Sequence, residues 1–133
     1  MKRKITVFLV FMLLCFSHLF ADEPLPYFSQ NPNARYRLFQ TVNTWVYLKL
    51  DTMTGKIWHV QFSIHGEDYR FEVPLSLEDI AAAYGVEKKV GRYTLYPTRN
   101  SFNFIMLDQI DGYSFQVQWS LNGENDFIIP IKK

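Results

Sequence analysis

The chain has 133 residues, 20% of them charged and 17% aromatic, with a formal net charge of +1. A nearly neutral chain has no electrostatic footprint for nucleic acid, and this length suits one domain with a real core. Its single cysteine, Cys15, excludes an internal disulfide framework.

The N-terminus reads as an export leader. Lys2, Arg3 and Lys4 precede an apolar run over 5–17, "ITVFLVFMLLCFS", and Ala21 is the expected cleavage residue. The run is shorter than the roughly 20 residues a membrane span needs, which argues against an uncleaved anchor. Leu14 stands where a lipoprotein site would need a small residue before Cys15. Removal of 1–21 leaves 112 residues with no cysteine, and 11 basic residues against 13 acidic, a net charge of −2. The expected location is periplasmic or secreted, with no stable membrane insertion after cleavage. Residues 22–34, "DEPLPYFSQNPNA", hold three prolines and are expected to form an extended lead-in.

Beyond the lead-in the chain is duplicated. Residues 35–64 align without a gap on 92–121, and 11 of the 30 positions are identical: Arg35, Tyr36, Leu38, Thr41, Asn43, Leu50, Asp51, Gly55, Val60, Gln61 and Ser63. The likeness resumes one residue out of step, where "FEVPL" at 71–75 answers "FIIPI" at 127–131. The domain is therefore expected over 35–133, as repeats 35–75 and 92–131 joined by a linker over 76–91.

Each repeat contains alternating runs around a turn, which reads as a hairpin. Gly55 suits a left-handed position in a three-residue loop flanked by Thr52 and Lys56. That loop would pair Leu48 with Val60, Leu50 with Trp58 and Val46 with Phe62. All these residues would then share one inner face. The second repeat would bury Ile105, Leu107, Phe115, Val117, Trp119 and Leu121 in the same way. A four-residue loop would shift the pairing by one residue and break this parity. Asp51 and Asp108 are expected to accept turn N–H groups, rather than to hold calcium, since the oxygen ligands around them are too sparse. Pro74 and Pro130 belong at strand ends or edges. With an opening and a closing strand, each repeat has about four strands. The expected fold is mainly β: two antiparallel units packed as a sandwich or a partly closed barrel, each covering the other's apolar face.

The linker differs in character. Ser76 is a candidate N-cap and Asp79 stands at the capping-box position. Leu77, Ile80, Ala81 and Tyr84 make an apolar stripe, and Gly85 is a natural stop. A short helix is expected over 77–84.

Three resemblances attach to these strings. "RYxLFxTxNxWxxLxLDTxTGxxWxVQ" resembles a group of small bacterial exported proteins that carry it, often twice; the resemblance supports the duplication and implies no chemistry. "LDTxTGxxW" is similar to the tryptophan-docking signature of quinoprotein β-propellers, but two short units cannot close a propeller. The run 69–86, "YRFEVPLSLEDIAAAYGV", resembles the first half of a LysM domain on Tyr69, Phe71, Ser76, Leu77, Ile80, Ala81, Tyr84, Gly85 and Val86. That resemblance implies binding of N-acetylglucosamine chains such as peptidoglycan. It covers 18 residues, and the next repeat begins where the module's second helix should lie.

No catalytic residue, metal site or cofactor motif is assigned. The two histidines after the leader, His59 and His65, lack metal-ligand spacing. The functional expectation is an exported, non-enzymatic binding or interaction module with a protein or glycan partner. Its candidate contact surface is an aromatic strip of Trp45, Tyr47, Phe102 and Phe104, on the hairpin face opposite the expected core. That face would also carry Lys49, His59, Gln61 and Ser63 in the first repeat, and Met106, Gln116, Gln118 and Ser120 in the second. The alternatives are a peptidoglycan-binding protein of the cell envelope and a small hydrolase using loop carboxylates such as Glu67–Asp68 or Asp108–Asp111.

Overall fold

Two turns set the architecture. The computed structural model describes residues 31–133, so the expected leader and residues 22–30 of the lead-in lie outside the described residues. In the first repeat the Asp51 N–H donates to the Lys56 carbonyl at 2.9 Å and the Gly55 N–H to the Asp51 carbonyl at 2.9 Å. Four residues, 52–55, therefore form the loop. The second repeat copies it: the Asp108 N–H donates to the Tyr113 carbonyl and the Gly112 N–H to the Asp108 carbonyl, both at 2.8 Å. Gly55 and Gly112 hold φ of +83° and +71°, the left-handed conformation that glycine adopts without penalty.

The first repeat runs β1 (Tyr36–Gln40), β2 (Val46–Asp51), β3 (Ile57–Gln61) and β4 (Phe71–Ser76). After a short helix, α1 (Ile80–Ala83), the second runs β5 (Tyr93–Pro97), β6 (Asn103–Asp108), β7 (Ser114–Gln118) and β8 (Phe127–Pro130). Each repeat is one four-stranded antiparallel sheet with its strands in chain order, and the sheets do not close into a barrel. The expected mainly β, two-unit fold is what the chain adopts. Pro74 lies on edge strand β4, at a bulge opposite Trp58, and Pro130 ends edge strand β8, where a missing N–H costs no ladder bond.

The register corrects the expected faces. Because the loop has four residues, Leu48 pairs with His59, Leu50 with Ile57 and Val46 with Gln61. In the second sheet Phe104 pairs with Val117 and Met106 with Phe115. Val46, Leu48 and Leu50 are buried as expected, but their neighbours on that face are Ile57 and His59; Trp58, Val60 and Phe62 point the other way. Phe115, Val117 and Trp119 are buried as expected, together with Phe104 and Met106. Ile105 and Leu107 lie on the opposite face, and Leu121 is exposed.

Aligned repeat against repeat, the consequence is larger. Positions of the two units differ by 57, an odd number. Both sheets bury the even residues of their second strand and the odd residues of their third. The two copies therefore share one register yet bury opposite faces. They stack face to back, with Leu48, Leu50 and Ile57 of the first sheet and Leu95, Met106 and Val117 of the second in one core. The expected sandwich in which each copy covers the other with the same face is not the arrangement found.

The helix is shorter than expected and starts later. Asp79, not Ser76, is the N-cap: its Oδ1 accepts the Ala82 N–H at 2.9 Å. Ile80 and Ala81 are buried, whereas Leu77 is exposed. The Ile80 N–H donates to the Thr54 carbonyl at 2.8 Å, and the Tyr93 N–H to the Thr52 carbonyl at 2.9 Å. The first hairpin turn is thus clamped to the linker and to the start of the second sheet.

Candidate functional site

Repeated polar residues build the same frame twice. Arg35 Nη2 donates to Asp51 Oδ2 at 3.1 Å, and Arg92 Nη2 to Asp108 Oδ2 at 2.9 Å. Asp51 Oδ1 also accepts the Met53 N–H, and Asp108 Oδ1 accepts the Ile110 and Asp111 N–H groups. The hydroxyls of Thr41 and Thr98 donate to the carbonyls of Val46 and Asn103, and the side chains of Asn43 and Asn100 accept the N–H groups of Trp45 and Phe102. Trp45 and Phe62 lie with ring centroids 5.2 Å apart, as do Phe102 and Trp119. The identities between the repeats are largely this scaffold of turns.

The environments differ sharply. Tyr93 and Trp119 are each 1% exposed, in the shared core, and the Arg92 side chain, held by Asp108, Asp111 and the Glu87 carbonyl, is 3% exposed. Their counterparts Tyr36, Phe62 and the Arg35 side chain are 50%, 41% and 48% exposed. Burial pulls the pKa of Arg92 down, but hydrogen bonds to Asp108 and Asp111 reverse this and leave it raised. The Asp51 hydrogen bond raises Arg35 at the surface. The outer face of the first sheet is the chemical counterpart of an interface that the second sheet buries.

That outer face is aromatic. Tyr36 meets Trp58 edge-on at 6.4 Å, and Phe62 lies 6.2 Å from Tyr47. Lys49 Nζ sits 4.8 Å over the Trp58 ring and 5.6 Å over that of Tyr36, and it pairs with Glu72. Of the expected strip, Trp45 and Tyr47 belong here. Phe102 lies apart, half-exposed over Trp119. Phe104 is buried in the core rather than on this face, and Met106 is buried with it. Trp58 and Phe62, which a three-residue loop would turn inward, complete the surface together with Tyr36. The signal for them was present: both faces of this hairpin carry apolar residues, as a strand covered on both sides does.

A second feature draws on residues of both repeats. A cleft of about 310 Å³ is lined by Val46, Phe71, Val73, Trp119, His59 and Asp126. His59 Nε2 lies 2.6 Å from Asp126 Oδ2, and Asp126 Oδ1 accepts the Ser120 N–H and hydroxyl at 2.7 and 2.9 Å. His59 was expected outside; it is buried and bridges the two units. Among the described residues, every buried side-chain nitrogen and oxygen has a hydrogen-bond partner. The aspartate separates the serine from the histidine, so the base does not touch the hydroxyl as nucleophile activation requires. Asp108 and Asp111, the loop carboxylates suggested for hydrolysis, both hold Arg92. No group of three residues that could hold a metal occurs among the described residues.

No protein-family model, curated protein or solved structure matches the chain.

Proposed function

We propose that this protein is an exported interaction module that docks a partner on the outer face of its first sheet. The observation that carries the reading is the contrast between equivalent positions. Phe62 and Tyr36 are open to solvent where Trp119 and Tyr93 are sealed. Contiguous exposed aromatic surface marks contact sites, and aromatic anchors beside a paired cation suit a protein or a sugar ring. Export is supported by the charged start, apolar run and Ala21 of the leader.

The test is capture from envelope extract by the purified chain, beside Tyr36→Glu and Phe62→Glu variants, with sedimentation on purified peptidoglycan in parallel. Retention of a partner that both variants lose, with unchanged thermal melts, supports the reading. Sedimentation lost in the variants assigns the partner to glycan. Equal capture by all three proteins contradicts the reading.

A further inference from the structure

We infer that the partner is a second copy of this chain, stacked head to tail. This rests on the outer face of the first sheet being a contact surface, and it names what covers it. The two sheets of one chain already show the interface. The back of the second sheet, with Tyr93, Phe115 and Trp119, packs on the front of the first, with Leu48, Leu50 and Ile57. The unit is a repeat, so each chain carries a further copy of both surfaces, one at each end of the stack. The outer face of the first sheet corresponds to the buried back of the second, ring for ring: Tyr36 for Tyr93, Trp58 for Phe115 and Phe62 for Trp119. The outer face of the second sheet corresponds to the inward front of the first: Tyr96 for Phe39, Ile105 for Leu48 and Leu107 for Leu50, all three buried there, and Ile129 for the half-exposed Val73.

Both ends are adapted to an interface that also meets water. The first outer face carries the Lys49–Glu72 pair, where the second sheet has the buried Met106 and the partly buried Ile128. The other end carries the bonded Asn103 and Gln116 amides, 2.7 Å apart, where the first sheet has Val46 and His59. Each end is therefore an apolar field with a satisfied polar island, which suits reversible association better than a permanent core. The turns agree. A Cβ on Gly55 would stand 2.9 Å from Ile80, whereas Gly112, its counterpart at the free end, has no neighbour within 4 Å. That turn is open for an incoming chain.

A contact between two different faces repeats until it closes or grows into a filament. Four-stranded sheets stacked radially close with typically 4–8 sheets, which is roughly two to four copies of a two-sheet chain.

The test is the mass of the purified chain in solution, by sedimentation and light scattering across the micromolar range. The wild type should reach a closed species of a few copies. Phe62→Glu at one end and Ile129→Glu at the other should each reduce the assembly to monomers with unchanged circular dichroism. An equal mixture of the two should form a one-to-one dimer and nothing larger, since one intact face of each kind remains. A wild type that stays monomeric overturns the inference. So does association that Ile129→Glu leaves intact, because the chains would then pair through identical faces. If the wild type is monomeric yet Phe62→Glu still loses an envelope partner, the contact surface stands and its self-association falls.

Discussion

Arg35 and Arg92 begin equivalent strands, bond equivalent aspartates and sit in opposite surroundings. One guanidinium is about half-exposed and the other is buried. The same contrast runs through Tyr36 and Tyr93, and through Phe62 and Trp119. A duplicated unit has thus been placed twice with its turns unchanged and its covering changed. The lesson is that the repeat specifies two usable faces, and that stacking decides which one becomes core.

Substitutions at paired positions can break this comparison. The largest difference is expected between Trp119→Ala and Phe62→Ala. Trp119 is buried and its indole N–H donates to the Ser101 carbonyl at 3.1 Å, so truncation should cost about 3–5 kcal/mol. Phe62→Ala should cost about 1 kcal/mol or less. Denaturant midpoints of the two variants measure the gap directly.

Asp108→Ala against Asp51→Ala comes next. The first change takes the Asp108 carboxylate from a buried guanidinium and should cost about 3 kcal/mol, softened by Asp111, which stays bonded to Arg92. The second leaves Arg35 to the solvent and should cost distinctly less, mainly the lost turn hydrogen bond. Similar midpoint shifts in the two variants would mean that the faces are not differently covered.

The glycines sharpen the picture further. Gly55→Val and Gly112→Val both force a β-branched residue into a left-handed conformation, at about 1–2 kcal/mol. Gly55→Val must in addition displace Ile80, so its melting temperature should fall further. The smallest effect concerns the linker. Asp79→Ala should lose about 1 kcal/mol of helix capping, read by thermal melt, whereas Ser76→Ala should change little.

Much of the fold was legible in the sequence, because repetition is visible without knowing a contact. The two units, the alternating runs, the aspartate-bonded turns and the left-handed glycines all follow from residue type and spacing. The faces did not follow, because parity depends on one loop residue. Choosing Thr52 rather than Asp51 as the flank of the turn moved Trp58, Val60 and Phe62 inside and sent His59 out. Phe104 has a different origin: it is the equivalent of Tyr47, and the second sheet buries the face that the first sheet leaves outside. His59 was hard to place because its partner, Asp126, lies 67 residues away in a loop whose position depends on how the sheets stack. The helix start moved because Asp79 offered a cap as good as Ser76, and the clamp from Ile80 to Thr54 favours the later start.

The central claim, that two copies of one unit bury opposite faces, is tested most directly by thiol accessibility. In a chain with Cys15 replaced by serine, single cysteines are placed at Leu48, Lys49, Ile105 and Met106, and their labelling rates are read in dilute solution. These are two equivalent pairs, Leu48 with Ile105 and Lys49 with Met106. Leu48→Cys and Met106→Cys should be protected, and Lys49→Cys and Ile105→Cys should react, so that each pair splits in opposite directions. Equivalent positions that label alike, Lys49→Cys with Met106→Cys and Leu48→Cys with Ile105→Cys, would contradict the claim.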